Sequence, residues 1–203
     1  MKYKTKISLA VLLMLLAGGV FYAEKFAPAI RDNFLAASLV LKNGEPVHLD
    51  PRIKTANCIF DGAFPDHECT PGAVFPEATA EQICVKGYTA TVRNVSVATK
   101  KKIYNEYGLA YPQTRGDYEA DHFIPLELGG SNDIANLFPE AADPVPGFRE
   151  KDFVENYLHG EVCSGRMALS DAQYAISKNW LDVYNKLTPA ELDALRQQYP
   201  SWK

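Results

Sequence analysis

The sequence predicts an α+β protein, mostly helical, preceded by an apolar helix at its N-terminus. Three observations lead there. Thr-x-x-Gln and Thr-x-x-Glu pairs stand ahead of apolar stretches with helical spacing. Two short strand-like segments flank Gly129-Gly130. An unbroken apolar run follows a basic start.

That run extends from Ile7 to Ala23, 17 residues interrupted only by Ser8 and Gly18-Gly19, after Lys2, Lys4 and Lys6. It is at the short edge of the roughly 17–25 residues a helix needs to cross a bilayer. Residues 1–23 therefore read as a signal peptide or a membrane anchor, with the remainder sent outward by the lysines behind it. Residues 24–56 read as a stalk, punctuated by Pro28, Pro46 and Pro51, with room for a short helix over 29–41. Residues 57–203 form the expected folded domain.

Within that domain, Asp61 to Pro76 is rich in Gly and Pro and reads as an irregular loop. Thr79 with Gln82 is a capping box leading into Ile83 and Cys84. Tyr88 to Val97 alternates with β-branched residues and predicts extended chain. Ser96 caps a helix through Tyr107, stopped by Gly108, and that helix bears Lys100, Lys101 and Lys102. A strand before His122, a turn at Gly129-Gly130, a second strand from Asn136-Leu137 and a helix from Phe148 to His159 follow. Ser170 with Gln173 predicts another box, ahead of Ala172, Ile176, Trp180, Val183 and Leu187 at helical spacing. Trp180 and Tyr184 lie on or beside that stripe and belong to the core. Thr188, Pro189 and Glu191 start a last helix that ends before Pro200.

Cys58, Cys69, Cys84 and Cys163 all follow the apolar run, an even set suited to an oxidising compartment. Of three connectivities, Cys58–Cys69 with Cys84–Cys163 is favoured. A zinc site from Cys58, His67, Cys69 and Cys84 is the alternative, weakened by the lack of a CxxC pair. A net charge of −4 excludes a polybasic, DNA-packaging protein, so nucleic-acid contact must come from a local patch.

Chemistry concentrates in Asp121-His122-Phe123-Ile124-Pro125, Gly129-Gly130 and Asn136-Leu137. A histidine can act as general base near neutral pH, and an adjacent carboxylate can hold a divalent cation. Neighbours at a strand end diverge, one side chain to each face. This stretch resembles the HNH endonuclease motif, the ββα-metal fold. With Cys69-Thr70-Pro71-Gly72, Ile83-Cys84, Gly87-Tyr88-Thr89, Lys151-Asp152, Glu155-Asn156 and Val162-Cys163, the run from about Cys69 to Tyr184 resembles small exported bacterial HNH proteins, with its motif core at 115–160.

The resemblance implies a largely sequence-nonspecific, metal-dependent endonuclease acting on DNA more readily than RNA. It uses one divalent cation, Mg²⁺ or else Mn²⁺. It implies His122 as general base, Asp121 as metal ligand and Asn136 as the residue that pins the loop bearing His122. Relatives place a histidine where this chain has Arg149, and arginine cannot ligate a cation. Asn156, on the same helical face, becomes the second ligand, and Arg149 a phosphate clamp beside Lys151 and the lysines at 100–102. His122 as a structural histidine, the three lysines as a solvated face, His159 as a helix end, and Glu119 and Glu127 as solvated strand residues are the competing readings. At the level of function, the rivals are a catalytically silent HNH scaffold that binds nucleic acid or an envelope partner, and a tethered envelope protein. An inhibitor or immunity partner is left open.

Overall fold

The computed structural model of the chain describes residues 45–199. The apolar run and the helix expected over 29–41 lie outside the described residues. The described chain is α+β, with six helices and two small antiparallel sheets.

Strand β1 (Val47–His48) pairs with β2 (Ala73–Val74). Leu49 N donates to Gly72 O at 2.9 Å, and the Arg52 guanidinium pairs with Glu106. Residues 45–56 thus pack against the rest of the described chain. Their few apolar residues hid this from the sequence, because the attachment is made by backbone hydrogen bonds and by polar pairs such as Arg52–Glu106 and Lys54–Asp66.

Helix α1 (Ala80–Ile83) has its box formed as expected, with Gln82 N donating to Thr79 Oγ1 and Thr79 N donating to Gln82 Oε1. Helix α2 (Tyr88–Val92) replaces the extended segment expected there. Gly87, at φ 85°, turns the chain, and Tyr88 and Val92 fall one turn apart, both buried in the main core. Tertiary burial overrides the β-branched pattern. Helix α3 (Val97–Glu106) starts at Ser96, whose Oγ accepts from Thr99 N, and ends at Tyr107 before Gly108 at φ 70°.

Strand β3 (Tyr118–His122) pairs with β4 (Leu137–Ala141), Asp121 opposite Phe138 and His122 opposite Leu137. Two 3₁₀ turns, Leu126–Leu128 and Ile134–Asn136, fill the connection. A Cβ on Gly130 would come 1.8 Å from Ile124 O, so only glycine permits this turn. Helix α4 (Phe148–Cys163) runs one turn beyond His159, and helix α5 (Leu169–Tyr184) packs on it.

The Ser170–Gln173 box does not form. The α5 cap is Ala168, and Gln173 Nε2 instead donates to Leu128 O at 2.8 Å, tying the helix to the first 3₁₀ turn. The stripe also breaks at Asn179, whose Oδ1 accepts from Asp182 N and restarts the helix, so Leu187 packs in a separate cluster with Phe153 and Leu195. Helix α6 (Pro189–Gln198) has the expected Thr188–Glu191 box.

The main core gathers Ile83, Ile124, Leu126, Val154, Leu158, Ile176 and Trp180. Cys58 is bonded to Cys69, and Cys84 to Cys163, the favoured pairing. With every one of these sulfurs in a disulfide, the zinc alternative has no thiolates.

Candidate active site

Alternation along β3 sends Glu119 and Asp121 to one face and His122 to the other. Facing the first pair, one turn apart on α4, stand Asp152, Glu155 and Asn156. Together with Glu127 from the first 3₁₀ turn and Arg93, they line a cavity of about 270 Å³.

Beneath it lies Lys151, fully buried. Its Nζ contacts Asp121 Oδ2 and Glu155 Oε1 at 2.6 Å each, Glu140 Oε2 at 3.3 Å and His122 O at 2.9 Å. This corrects the expectation that Lys151 touches phosphate, since its ammonium is enclosed by carboxylates and a carbonyl. Burial alone would push the Lys151 pKa down, and the three carboxylates more than reverse it, leaving it well above its usual value. The same ion pair overcomes burial at Asp121, holding its carboxyl below the usual range. Glu140 is pushed well up by burial, and the neighbouring Asp121 charge adds to the rise.

Charge is unevenly compensated in the cavity. Five carboxylates line it, and Arg93 and the underlying Lys151 are the nearby cations. Burial, then the Asp121 charge, raises Glu119 to about 7 and Asp152 to about 8. Glu127 is raised chiefly by burial, and its Oε1 is buried without a hydrogen-bond partner among the described residues. Hard oxygen donors in such number, one of them orphaned, fit a hard divalent cation of the Mg²⁺ or Mn²⁺ type. Asp121, Asn156, Glu127 and Asp152 are the residues that could hold such a cation.

A stability prediction follows. Acids with raised folded-state pKa values stabilise most when protonated, so their contribution is complete below about pH 4 and is lost as pH rises through about 7 and 8. In EDTA, the melting temperature is expected to fall between pH 5 and pH 8.5 by on the order of 5 °C. Mg²⁺ is expected to restore it at the alkaline end and to do little at pH 5. Calorimetric scans showing the same Mg²⁺ effect at both pH values would contradict the site.

His122 is 2% exposed and does not line the cavity. Its Nε2 is 3.2 Å from Asn132 Oδ1. That oxygen also accepts from Asn94 N at 3.1 Å, while Asn132 Nδ2 donates to Val92 O at 2.7 Å. The amide is thereby oriented, Nε2 must be the protonated nitrogen, and Nδ1 has the lone pair. Burial lowers the His122 pKa to about 4, so the ring is neutral at pH 7.

Asn136 is fully buried and spans the base of the loop. Its Oδ1 accepts from Ile124 N at 2.9 Å and Ala73 N at 3.3 Å, and its Nδ2 donates to Ile124 O and Ser131 O at 2.9 Å. Both ends of the connection after His122 are thus held by one side chain. Asn156 Nδ2 donates to Asp152 O at 2.7 Å, within the cavity wall. Glu119 and Glu127, which also allowed a solvated reading, are both in that wall.

Arg149 lies outside the cavity, over the Phe148 ring at 4.6 Å and 3.3 Å from Gly116 O. Lys101 and Lys102 are exposed on α3, and Lys100 is half-buried. His159 Nε2 is 3.2 Å from Ile83 O and does not line the cavity. The sequence reading missed Arg93, Glu140, Glu155 as a lysine partner, and Asn132. Two signals were available: the i, i+4 spacing of Lys151 and Glu155, and the period-two spacing of Glu119 and Asp121. No family model, no curated protein and no solved structure matches the chain.

Proposed function

We propose that the chain is an exported, divalent-cation-dependent endonuclease of the HNH type. It hydrolyses phosphodiester bonds of DNA, or of RNA, with little sequence preference. One observation supports it above the others: an undercompensated carboxylate cavity on β3 and α4, with Glu127 Oε1 orphaned in its wall. The strand–turn–strand–helix order of residues 118–163 agrees with a ββα-metal core. The two disulfides suit an oxidising compartment.

In this reading Asp121 and Asn156, joined by Glu127 and Asp152, hold the cation, which when bound would supply Lewis acidity at the phosphate. His122, neutral and protonated on Nε2, is the general base of this reading. Buried on the other face of β3, it requires the loop after it to open before Nδ1 can take the proton of the attacking water. Asn132 keeps that tautomer, and Asn136 keeps the loop in place. Arg93, at the cavity wall, offers the guanidinium fork to phosphate oxygens, a role closer to the cavity than that of Arg149.

A second reading, a silent scaffold that binds nucleic acid or an envelope partner, draws on a specific observation. The Lys151 ammonium already neutralises Asp121, and His122 is sealed from solvent. Plasmid nicking by the purified protein separates the two. Nicking is expected with Mg²⁺ or Mn²⁺ and is abolished by EDTA. Intact supercoiled plasmid under every condition, with salt-sensitive binding retained, would establish the scaffold instead.

A further inference from the structure

We infer that the groove adjoining the carboxylate cavity, between α3 and β3, receives an unpaired nucleotide, so that the protein binds single-stranded nucleic acid in preference to duplex. This rests on the endonuclease reading for its biological sense, although the binding itself requires no cleavage.

The groove encloses about 400 Å³ and shares Glu119 and Ala120 with the cavity, so one strand can occupy both. Its volume is within the range of ligand sites, about 300–1,000 Å³. Tyr104 and Phe148 are buried and form the floor, while Tyr111 and Tyr118 are half-buried and form the walls. Tyr104 and Tyr111 meet at 79° with centroids 5.2 Å apart. They therefore do not cover each other face to face, and the half-buried Tyr111 keeps ring area for a third planar group.

Two cations belong to the same groove, Lys100 and the exposed Arg115. Aromatic faces beside cations match a base and its phosphate, and this pairing of features is the usual means of holding single strands without sequence readout. Duplex bases are stacked and paired, with no free face to offer. An acidic peptide would satisfy the cations and leave the half-buried rings of Tyr111 and Tyr118 without a planar ligand. The overall charge of −4 makes general attraction to polyanions weak, so affinity must arise locally.

The test is fluorescence anisotropy with a short, labelled, cleavage-resistant phosphorothioate oligonucleotide, alone and as its duplex, with Mg²⁺ present. The single strand is expected to bind about tenfold more tightly or better. Tyr111→Ala should weaken it by about 5- to 100-fold, the effect of losing one stacked base. Arg115→Gln, at an exposed position that leaves folding untouched, should weaken it and flatten its salt dependence. Equal affinity for single strand and duplex, wild-type binding by Arg115→Gln, or tighter capture of a polyglutamate peptide would overturn the inference. Selective single-strand binding by a protein that cleaves neither plasmid nor the unmodified single-stranded oligonucleotide would overturn the endonuclease reading and leave this one standing.

Discussion

Lys151→Met is expected to destabilise the folded domain by about 3–5 kcal/mol, the usual consequence of removing one partner from a buried ionic cluster. Asp121 and Glu155 each lose a contact of 2.6 Å, and Glu140 loses one of 3.3 Å. The main-chain oxygen of His122 loses its ammonium donor as well. In a domain of this size the melting temperature should drop by on the order of 10 °C. Lys151→Met combined with Glu155→Met should recover part of the loss, because it removes a charge that the single variant strands. Circular dichroism melts placing Lys151→Met beside the wild type would show that the cluster does not hold the fold.

His122→Ala is expected to lower the cleavage rate by about 10²–10⁴-fold, the range for losing a positioned base, with oligonucleotide affinity nearly unchanged. Asp121→Ala should behave differently, weakening cation affinity so that excess Mn²⁺ restores part of the activity. Asn156→Ala should follow Asp121→Ala. Asn132→Ala should reduce the rate by a smaller factor than His122→Ala, since it frees the ring's tautomer without removing the ring. Arg149→His should leave activity equal or higher. Single-turnover kinetics in which His122→Ala cleaves as fast as the wild type would dismiss the histidine as base.

Local chemistry made much of the fold legible. The caps at Thr79, Ser96 and Thr188 bring their bonding partners within three residues, so the signal is complete in a short window. Ser170 shows the limit: the same pattern was outbid by Gln173 reaching Leu128 O, a partner distant in sequence. Tyr88–Val92 failed for a related reason, because the core that turns it helical comes from Ile124, Leu126 and Val154. In the candidate site, Asp121, His122, Asn136 and Asn156 could be singled out from the sequence. That Lys151 faces inward, and that Arg93 and Glu127 converge on Asp121, depends on how α2, β3 and α4 meet, which spacing along one chain does not encode.

The Cys84–Cys163 bond joins residues 79 apart and so closes a covalent ring. Inside that ring lie Arg93, Asp121, His122, Glu127, Asn136, Lys151 and Asn156, together with the groove residues Lys100, Tyr111 and Arg115. A protease that cuts once after exposed Lys101, Lys102 or Arg115 opens the ring without releasing either piece. Both halves of the cavity stay attached to one molecule, held through α1 and the end of α4, until a reductant separates them. Endurance under proteolysis is thus a property of where the bond falls, independent of how tightly the core is packed.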